Sequence, residues 1–560
     1  MDMAGPESLR SRLVTISRAA LLASLGTLAS ASAAGGPQAT AGAVTCDVAA
    51  IQKVAPSDTR IVEARWLDAP VRHCRVDGYV TTENPGPNRN NFRLQLPEKS
   101  LWAGRFFFIG LGGSGGAVPT EAQVPRGNPL VKGFAVAGTD KGHQSDPLDW
   151  SFASDPAKAL DNAHRGGHVT TGAAQAITRA FYGVRKMHRY HTGCSGGGDM
   201  GMRAMQYHPD DYDGVLLGWI GGPYPGDPRK TMTAWNYSVV MREMVREPGS
   251  WISPAKRQFL QDKALALCDA ADGAKDEMIW DSRQCKLDLS RLACTGGDRP
   301  DCLSGPEITS VTNIVRDTVW PISNISSWST YMGSVPPPWD PSPSRENAAK
   351  TAMGYVILNN WARTHLRQPD RDVLKQPLTE AEVEQIYKGQ LGAFVWPGGA
   401  WDLAAFEKGG GKSIFYVGVG DPAFPHDGLE NWFRILTEKV GASRRDGFAR
   451  LYQVPGWGHC GGGTGPDDGA DVMLEALVNW VEKGTPPRGL EMHRGADRAR
   501  FQFASATPGR IGVDVGSASG RPRDFLVCPY PYRSVFDRSK ASDPAAVYDA
   551  RNWSCRKADK

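Results

Sequence analysis

From about residue 100 to 225, short apolar runs alternate with stretches of helical character. Arg105-Phe106-Phe107-Phe108-Ile109 reads as a buried strand and leads into Gly110-Leu111-Gly112-Gly113-Ser114-Gly115-Gly116. Gly133 to Gly138 is a second apolar run, Ala173 to Tyr182 a helix, Lys186 to Thr192 a strand, and Gly214 to Gly218 another strand. This alternation predicts a parallel sheet flanked by helices. From about 228 to 412 the pattern fades, and prolines, cysteines and tryptophans crowd in; strand character resumes at Ser413 to Val419. The expected organisation is therefore an α/β core formed by 35–227 and 413–560, interrupted by an inserted segment at 228–412. A tail from about 485, with short polar–apolar alternations, is expected to add β structure at the edge. No internal repeat of fixed period is present.

Composition narrows the partners. The 560 residues exceed what one compact core usually carries, which suits either a core with a large insertion or two domains. A net charge of +4 with no long basic block argues against nucleic acid. Ten cysteines, an even number, suggest an oxidising compartment. Arg10, Arg12 and Arg18 precede an apolar run from Ala19 to Ala31, and the small residues Ala29 to Ala34 offer A-x-A cleavage sites. Residues 1–34 therefore read as a secretory signal peptide, with a mature chain starting near Gly35 and a disordered leader to about 45. The apolar run is too short to span a bilayer comfortably and no later segment is apolar enough, so no membrane contact is expected after cleavage. The expected location is secreted or periplasmic; nothing in the pattern specifies an oligomer. Sequons at Asn236, Asn324 and Asn552 decide nothing.

The glycine pattern introduces chemistry. G-x-S-x-G occurs twice, around Ser114 and around Ser195, and with 64 glycines in the chain the pattern alone is weak. Context separates the two. Ser195 follows a strand and precedes a helical stretch from Asp199 to Tyr207, the setting of a nucleophile on a sharp strand-to-helix turn. Ser114 leads into Ala117-Val118-Pro119-Thr120 with no early helix, so its loop better suits presentation of backbone N–H groups to an oxyanion. Ser195 is thus the candidate nucleophile, with Gly112 (or Gly113) and Gly196 as oxyanion donors. Hydrolases of this class follow the chain order Ser, acid, His. His459, after the strand-like Arg450 to Val454, is the candidate base, and Asp421, after Ser413 to Val419, the candidate acid. Cys194 precedes the serine and Cys460 follows the histidine. A bridge between them would set their Cα atoms roughly 4.4–6.8 Å apart, which is compatible with a shared site.

The set Cys194-Ser195, Asp421 and His459-Cys460 resembles that of the tannase and feruloyl esterase family, which includes mono(2-hydroxyethyl) terephthalate hydrolase. Gly138 to Gln144 (GTDKGHQ), His164 to His168 (HRGGH) and Tyr207 to Gly214 (YHPDDYDG) extend the resemblance over nearly the whole mature chain. It implies a serine carboxylic-ester hydrolase with an α/β-hydrolase core and an inserted lid. The cysteine count leaves the pairing open; the resemblance implies Cys46 with Cys74, Cys194 with Cys460, Cys268 with Cys285, Cys294 with Cys302, and Cys528 with Cys555. It also implies a structural Ca²⁺ in the lid, held by Asp269, Asp272 and Asp276 and the carbonyls of Ala274 and Met278. Closely spaced aspartates around Gly273 supply the hard oxygens that calcium prefers, though not in an EF-hand. No paired C-x-x-C spacing supports zinc.

Two departures bear on specificity. Many relatives carry arginine where this chain has Asp199, and the region from about 340 to 390 matches poorly. Arg363, Arg367 and Arg371 are candidates only by residue type for binding a substrate carboxylate. Nine tryptophans between 228 and 412 suit an aromatic-lined pocket or, more plainly, the insertion's own core. The expected substrate is a small ester of an aromatic acid. Alternatives are a terephthalate-like half-ester, a short-chain aliphatic ester, or a binding protein on a dead hydrolase fold. The intact Ser, Asp and His set argues against the last.

Overall fold

The structure is a computed structural model; it describes residues 44–119, 129–218, 233–281, 283, 285–318, 352–388, 402–421, 426–495 and 521–557. The expected signal peptide, Asn324, Trp320, Trp328, Trp339, Trp396 and Trp401 lie outside the described residues.

Nine strands form one sheet: β1 (Thr59–Leu67), β2 (His73–Thr82), β3 (Asn88–Pro97), β4 (Arg105–Ile109), β5 (Phe134–Thr139), β6 (His188–Cys194), β7 (Gly214–Gly218), β8 (Lys412–Gly418) and β9 (Ala449–Val454). Their order is β1-β2-β3-β5-β4-β6-β7-β8-β9. From β5 to β9 neighbours run parallel, whereas β1, β2 and β3 pair antiparallel with one another and β3 joins β5 antiparallel. The sheet is therefore mixed rather than parallel throughout. Chain 59–97 supplies the antiparallel part through consecutive hairpin-like connections, which parallel strands cannot use.

Period-two alternation decides which side chains face which layer. In β4, Phe106 and Phe108 enter one core and Phe107 and Ile109 the other; in β8, Phe415 and Val417 oppose Ile414 and Tyr416. Both faces are covered, so these strands read as continuous apolar runs. Each fully buried phenylalanine of β4 contributes roughly 1.5–3 kcal/mol. On the first face lie α1 (Gly166–Tyr182), α2 (Gly196–Tyr207) and α3 (His426–Val440); on the second lies α4 (Gly469–Lys483). α1 starts earlier than its glycines suggested, because Gly166 and Gly167 are packing residues. A Cβ at Gly166 would sit 2.2 Å from Asn90 Oδ1, and one at Gly167 2.6 Å from Met200 Cε.

The chain between β7 and β8 contributes helices Thr233–Met244, Pro254–Cys268, Gly305–Thr318, Met353–His365 and Glu380–Lys388. They gather around a separate core that includes Tyr237, Val240, Leu260, Ile314, Leu358 and Trp361. Trp235, Trp251 and Trp361 pack there, and Trp280 stacks on Trp553 at 4.5 Å. These rings serve packing. The tail does not lengthen the large sheet among the described residues. It forms two two-stranded ladders, β10 (Leu490–Arg494) with β11 (Arg523–Val527) and β12 (Tyr532–Phe536) with β13 (Trp553–Lys557), touching β9 through a bridge of Tyr452 and Pro529. No described helix is long and apolar enough to cross a membrane.

Disulfides join Cys46–Cys74, Cys194–Cys460, Cys268–Cys285, Cys294–Cys302 and Cys528–Cys555, and no cysteine is left free.

Candidate active site

The carboxyl ends of β4, β6, β7 and β8 come together in register: Ile109 lies beside Thr192, Cys194 beside Gly218, and Gly218 beside Tyr416. Ser195 sits between β6 and α2 at φ 58° and ψ −124°, a conformation that non-glycine residues adopt only where the surroundings enforce it. Here the Ser195 N–H donates to Gly218 O at 3.0 Å, and the Ser195 carbonyl accepts from Asp199 N at 2.9 Å, opening the helix. The turn closes only because its neighbours lack side chains. A Cβ on Gly196 would lie 1.8 Å from Gly113 O, and one on Gly197 2.3 Å from Gly110 O. The loop 110–116 thus rests directly on the elbow. Among the described residues, the amides of Gly112, Gly113 and Gly196 donate to no partner. Those at the start of α2 also carry the positive end of its dipole. Ser114, the rival serine, is 1% exposed, and its hydroxyl donates to Asp149 O at 3.3 Å.

His459 Nδ1 lies 2.8 Å from Asp421 Oδ2, with both side chains buried. Asp421 is set by the turn beyond β8, where Asp421 N donates to Gly418 O (3.1 Å) and Gly420 N to Trp457 O (2.8 Å). The second bond ties the acid's turn to the histidine's loop. A ring nitrogen of His459 lies within 4.8 Å of the sulfurs of Cys194 and Cys460. Those sulfurs are bonded to each other, so the group is a clasp and not a metal site. The Cα atoms of Cys194 and Cys460 are 5.8 Å apart, which brings the residues flanking them, Ser195 and His459, to one place.

Asp199 lies 3.7 Å from the buried Arg203, one turn along α2. Lys141, 3% exposed, runs beneath Gly115; burial and then the Arg203 charge push its ammonium down to about 7, against the pull of Asp199. Below the elbow, burial lowers His191 to about 4, and its Nε2 lies 3.1 Å from Gly197 O. A neutral ring donating to that carbonyl supports the first turn of α2.

In the insertion, Asp269 Oδ1 accepts from Asp276 N and Met278 N, and Asp272 accepts from Ala274 N and Trp280 N. Asp276 pairs with the fully buried Arg523, while its Oδ1 is buried without a hydrogen-bond partner. Burial, followed in part by repulsion between the carboxylates, raises Asp272 to about 7. An orphaned carboxylate oxygen among crowded acidic groups is a donor set that fits a hard divalent cation. Arg371 does not fit a substrate role: its guanidinium donates to Gln376 O, Pro377 O and Glu382, and its own carbonyl accepts from Arg363. Those bonds brace the loop before the helix at Glu380.

A mixed sheet covered by helices on both faces, with a serine on a strand–turn–helix elbow, is the α/β-hydrolase fold. The sequence profile described as tannase and feruloyl esterase matches residues 74–551. The chain belongs to that family, and it is a carboxylic ester hydrolase. It is 29% identical over 549 residues to mono(2-hydroxyethyl) terephthalate hydrolase of Piscinibacter sakaiensis, covering 85% of this chain and 86% of the relative. It is 28% identical over 461 residues to probable feruloyl esterase B-1 of Aspergillus fumigatus, covering 76% and 80%. In structure it is similar to feruloyl esterase B from Aspergillus oryzae (TM-score 0.70, 22% identity, 90% of this chain and 98% of that one). It is also similar to tannin acyl hydrolase from Aspergillus niger (TM-score 0.64, 18% identity, 92% and 97%). These two likenesses show the fold.

Proposed function

We propose that this protein is a secreted serine esterase that cleaves small esters of aromatic acids through Ser195, His459 and Asp421. The carrying observation is the 2.8 Å His459–Asp421 pair clasped to the Ser195 elbow by the Cys194–Cys460 bridge. With Nδ1 committed to Asp421, Nε2 is the atom that takes the serine proton. Ser195 Oγ attacks the ester carbonyl, and the amides of Gly196 and Gly112 or Gly113 receive the developing oxyanion. His459 returns the proton to the departing alcohol, and water then hydrolyses the acyl-enzyme by the same route. Feruloyl esters, tannins and a terephthalate half-ester, named in the relatives, all place an aryl group on the acyl side, which supports the aromatic class.

The helical insertion is read as a lid over the site, and Asp269, Asp272 and Asp276 with the carbonyls of Ala274 and Met278 as its calcium ligands. The ion would hold the loop's carboxylates together and takes no part in the chemistry. Residues 1–34 are read as the secretion signal. Ser195→Ala should lower kcat by about 10⁴-fold or more, measured on methyl ferulate, methyl gallate, mono(2-hydroxyethyl) terephthalate and p-nitrophenyl butyrate. Wild-type turnover by this variant would overturn the triad, and turnover of the butyrate alone by the native enzyme would overturn the aromatic preference.

A further inference from the structure

The loop 110–116 has five glycines in seven residues, three of them, Gly113, Gly115 and Gly116, at φ +59°, +88° and +90°. Such a chain has many accessible conformations, yet donors aimed at an oxyanion work only if they need not reorganise during the reaction. Something outside the loop must hold it. The fastening comes from segment 140–149 and from the turn that precedes α1. Ser114 N donates to Pro147 O (2.8 Å), Gly116 N to Asp140 O (3.1 Å) and Ser145 N to Gly116 O (3.3 Å). The Ser114 carbonyl, central in the loop, is gripped by two side chains at once: Asn162 Nδ2 at 2.5 Å and His143 Nε2 at 3.0 Å.

The histidine's tautomer follows from its partners. Nε2 faces a carbonyl oxygen and must carry the proton; Nδ1, 3.0 Å from Ser145 Oγ, is left to accept. The ring cannot swing away, since it is 4% exposed and stacked on Phe152 at 3.6 Å and 10°. Burial holds it neutral, at about 4, which preserves the single donated bond. Asn162, 6% exposed, brings its Nδ2 to within 3.0 Å of the same ring nitrogen, so the two donors converge side by side on the one carbonyl. With Gly110, Ser114, Gly115 and Gly116 pinned, the loop peptides left to donate are those of Leu111, Gly112 and Gly113, and the last two lie nearest the elbow residue Gly196, where an added Cβ would meet Gly113.

We propose that His143 and Asn162 are positioning residues for ester hydrolysis, jointly clamping the Ser114 carbonyl so that the Gly112 and Gly113 amides stay aimed at the oxyanion. The proposal rests on the reading of Ser195 as nucleophile. His143→Phe keeps the ring, its volume and its stacking but loses the donor. It should lower kcat by about tenfold or more, with KM within about threefold, and weaken inhibition by an aryl boronic acid by a similar factor. The boronate forms a tetrahedral adduct that occupies the oxyanion site; affinity for the free product acid, which does not, should stay unchanged. His143→Gln, which can donate to the same carbonyl, should recover part of the rate. Asn162→Ala combined with His143→Phe should be less damaging than the product of the singles, because both act on one carbonyl. Boronate affinity and kcat within about twofold of wild type in His143→Phe, or a loss matched by the fraction unfolded in circular dichroism, overturns the clamp. Failure of a fluorophosphonate to label Ser195 in the native enzyme would instead remove the nucleophile reading itself, and the clamp with it.

Discussion

Removing the Cys194–Cys460 bridge by the double substitution Cys194→Ala, Cys460→Ala separates its two effects. The bridge spans 266 residues, more than any other in the chain. Chain entropy alone then assigns it about 5.5 kcal/mol at 25 °C, an upper bound because engineered and native cross-links often return less. The internal bridges Cys268–Cys285 and Cys294–Cys302 shorten that loop by only 17 and 8 residues and barely alter the logarithm. Spread over an unfolding entropy of about 2 cal/mol/K per residue, the loss lowers Tm by about 5 °C. Activity should suffer far more. His459 is attached to Cys460 and Ser195 to Cys194, so losing the 5.8 Å constraint frees the two loops to drift. A displacement of about 1 Å between the proposed nucleophile and base should cost on the order of 10²-fold in kcat. Steady-state kinetics well below Tm, beside calorimetry, read both quantities. The control is Cys528→Ala, Cys555→Ala, a bridge between tail segments, which should lose stability and keep kcat. The reasoning is refuted if the first variant loses the expected stability while its kcat stays within about threefold of wild type.

Three further outcomes are expected. Gly196→Ala should lose about tenfold or more in kcat, since its methyl would meet the Gly113 backbone carbonyl at 1.8 Å and push the oxyanion loop away; unaltered kinetics would show that the loop does not press on the elbow. Chelation with EGTA should lower Tm by a few degrees, restored by Ca²⁺ and not by Mg²⁺, because binding to the folded state alone adds stability; Asp276→Asn should blunt the response, and indifference to chelator would refute the calcium loop. Stability should fall in acid: burial lowers His143, His191 and His365 to about 4, so between an unfolded value of about 6.5 and that folded value the unfolded chain binds more protons. Their contribution is complete above about pH 6.5 and is lost as pH falls toward 4, at up to about 1.4 kcal/mol per pH unit for each ring. Thermal melts from pH 7 to 4.5 check this, and a flat profile would contradict it.

Legibility in the sequence followed range of interaction. β4 and β7 occupy the residues their apolar runs marked, because strands buried on both faces need no partner to announce them. The antiparallel strands β1 to β3 lie outside the alternation expected from residue 100 onward, although His73–Thr82 carries the period-two pattern of such a strand. The serine elbow was legible from glycines around one residue, and the choice between Ser195 and Ser114 from the helix that follows only one of them.

Other features exist only where distant chain meets. The sequence names Asp421 and His459 but not their 2.8 Å contact, which depends on β8 and β9 lying side by side. Asn162 bears no local sign of its role, for the carbonyl it holds lies 48 residues away. Arg371 looked available by type and proved committed to its own loop. Periodicity determined the class of fold, and the glycines around Ser195 its elbow, since each rests on near neighbours and burial. Tertiary structure alone decided geometry, because a contact closed by a long loop is paid for by the packing of the whole sheet.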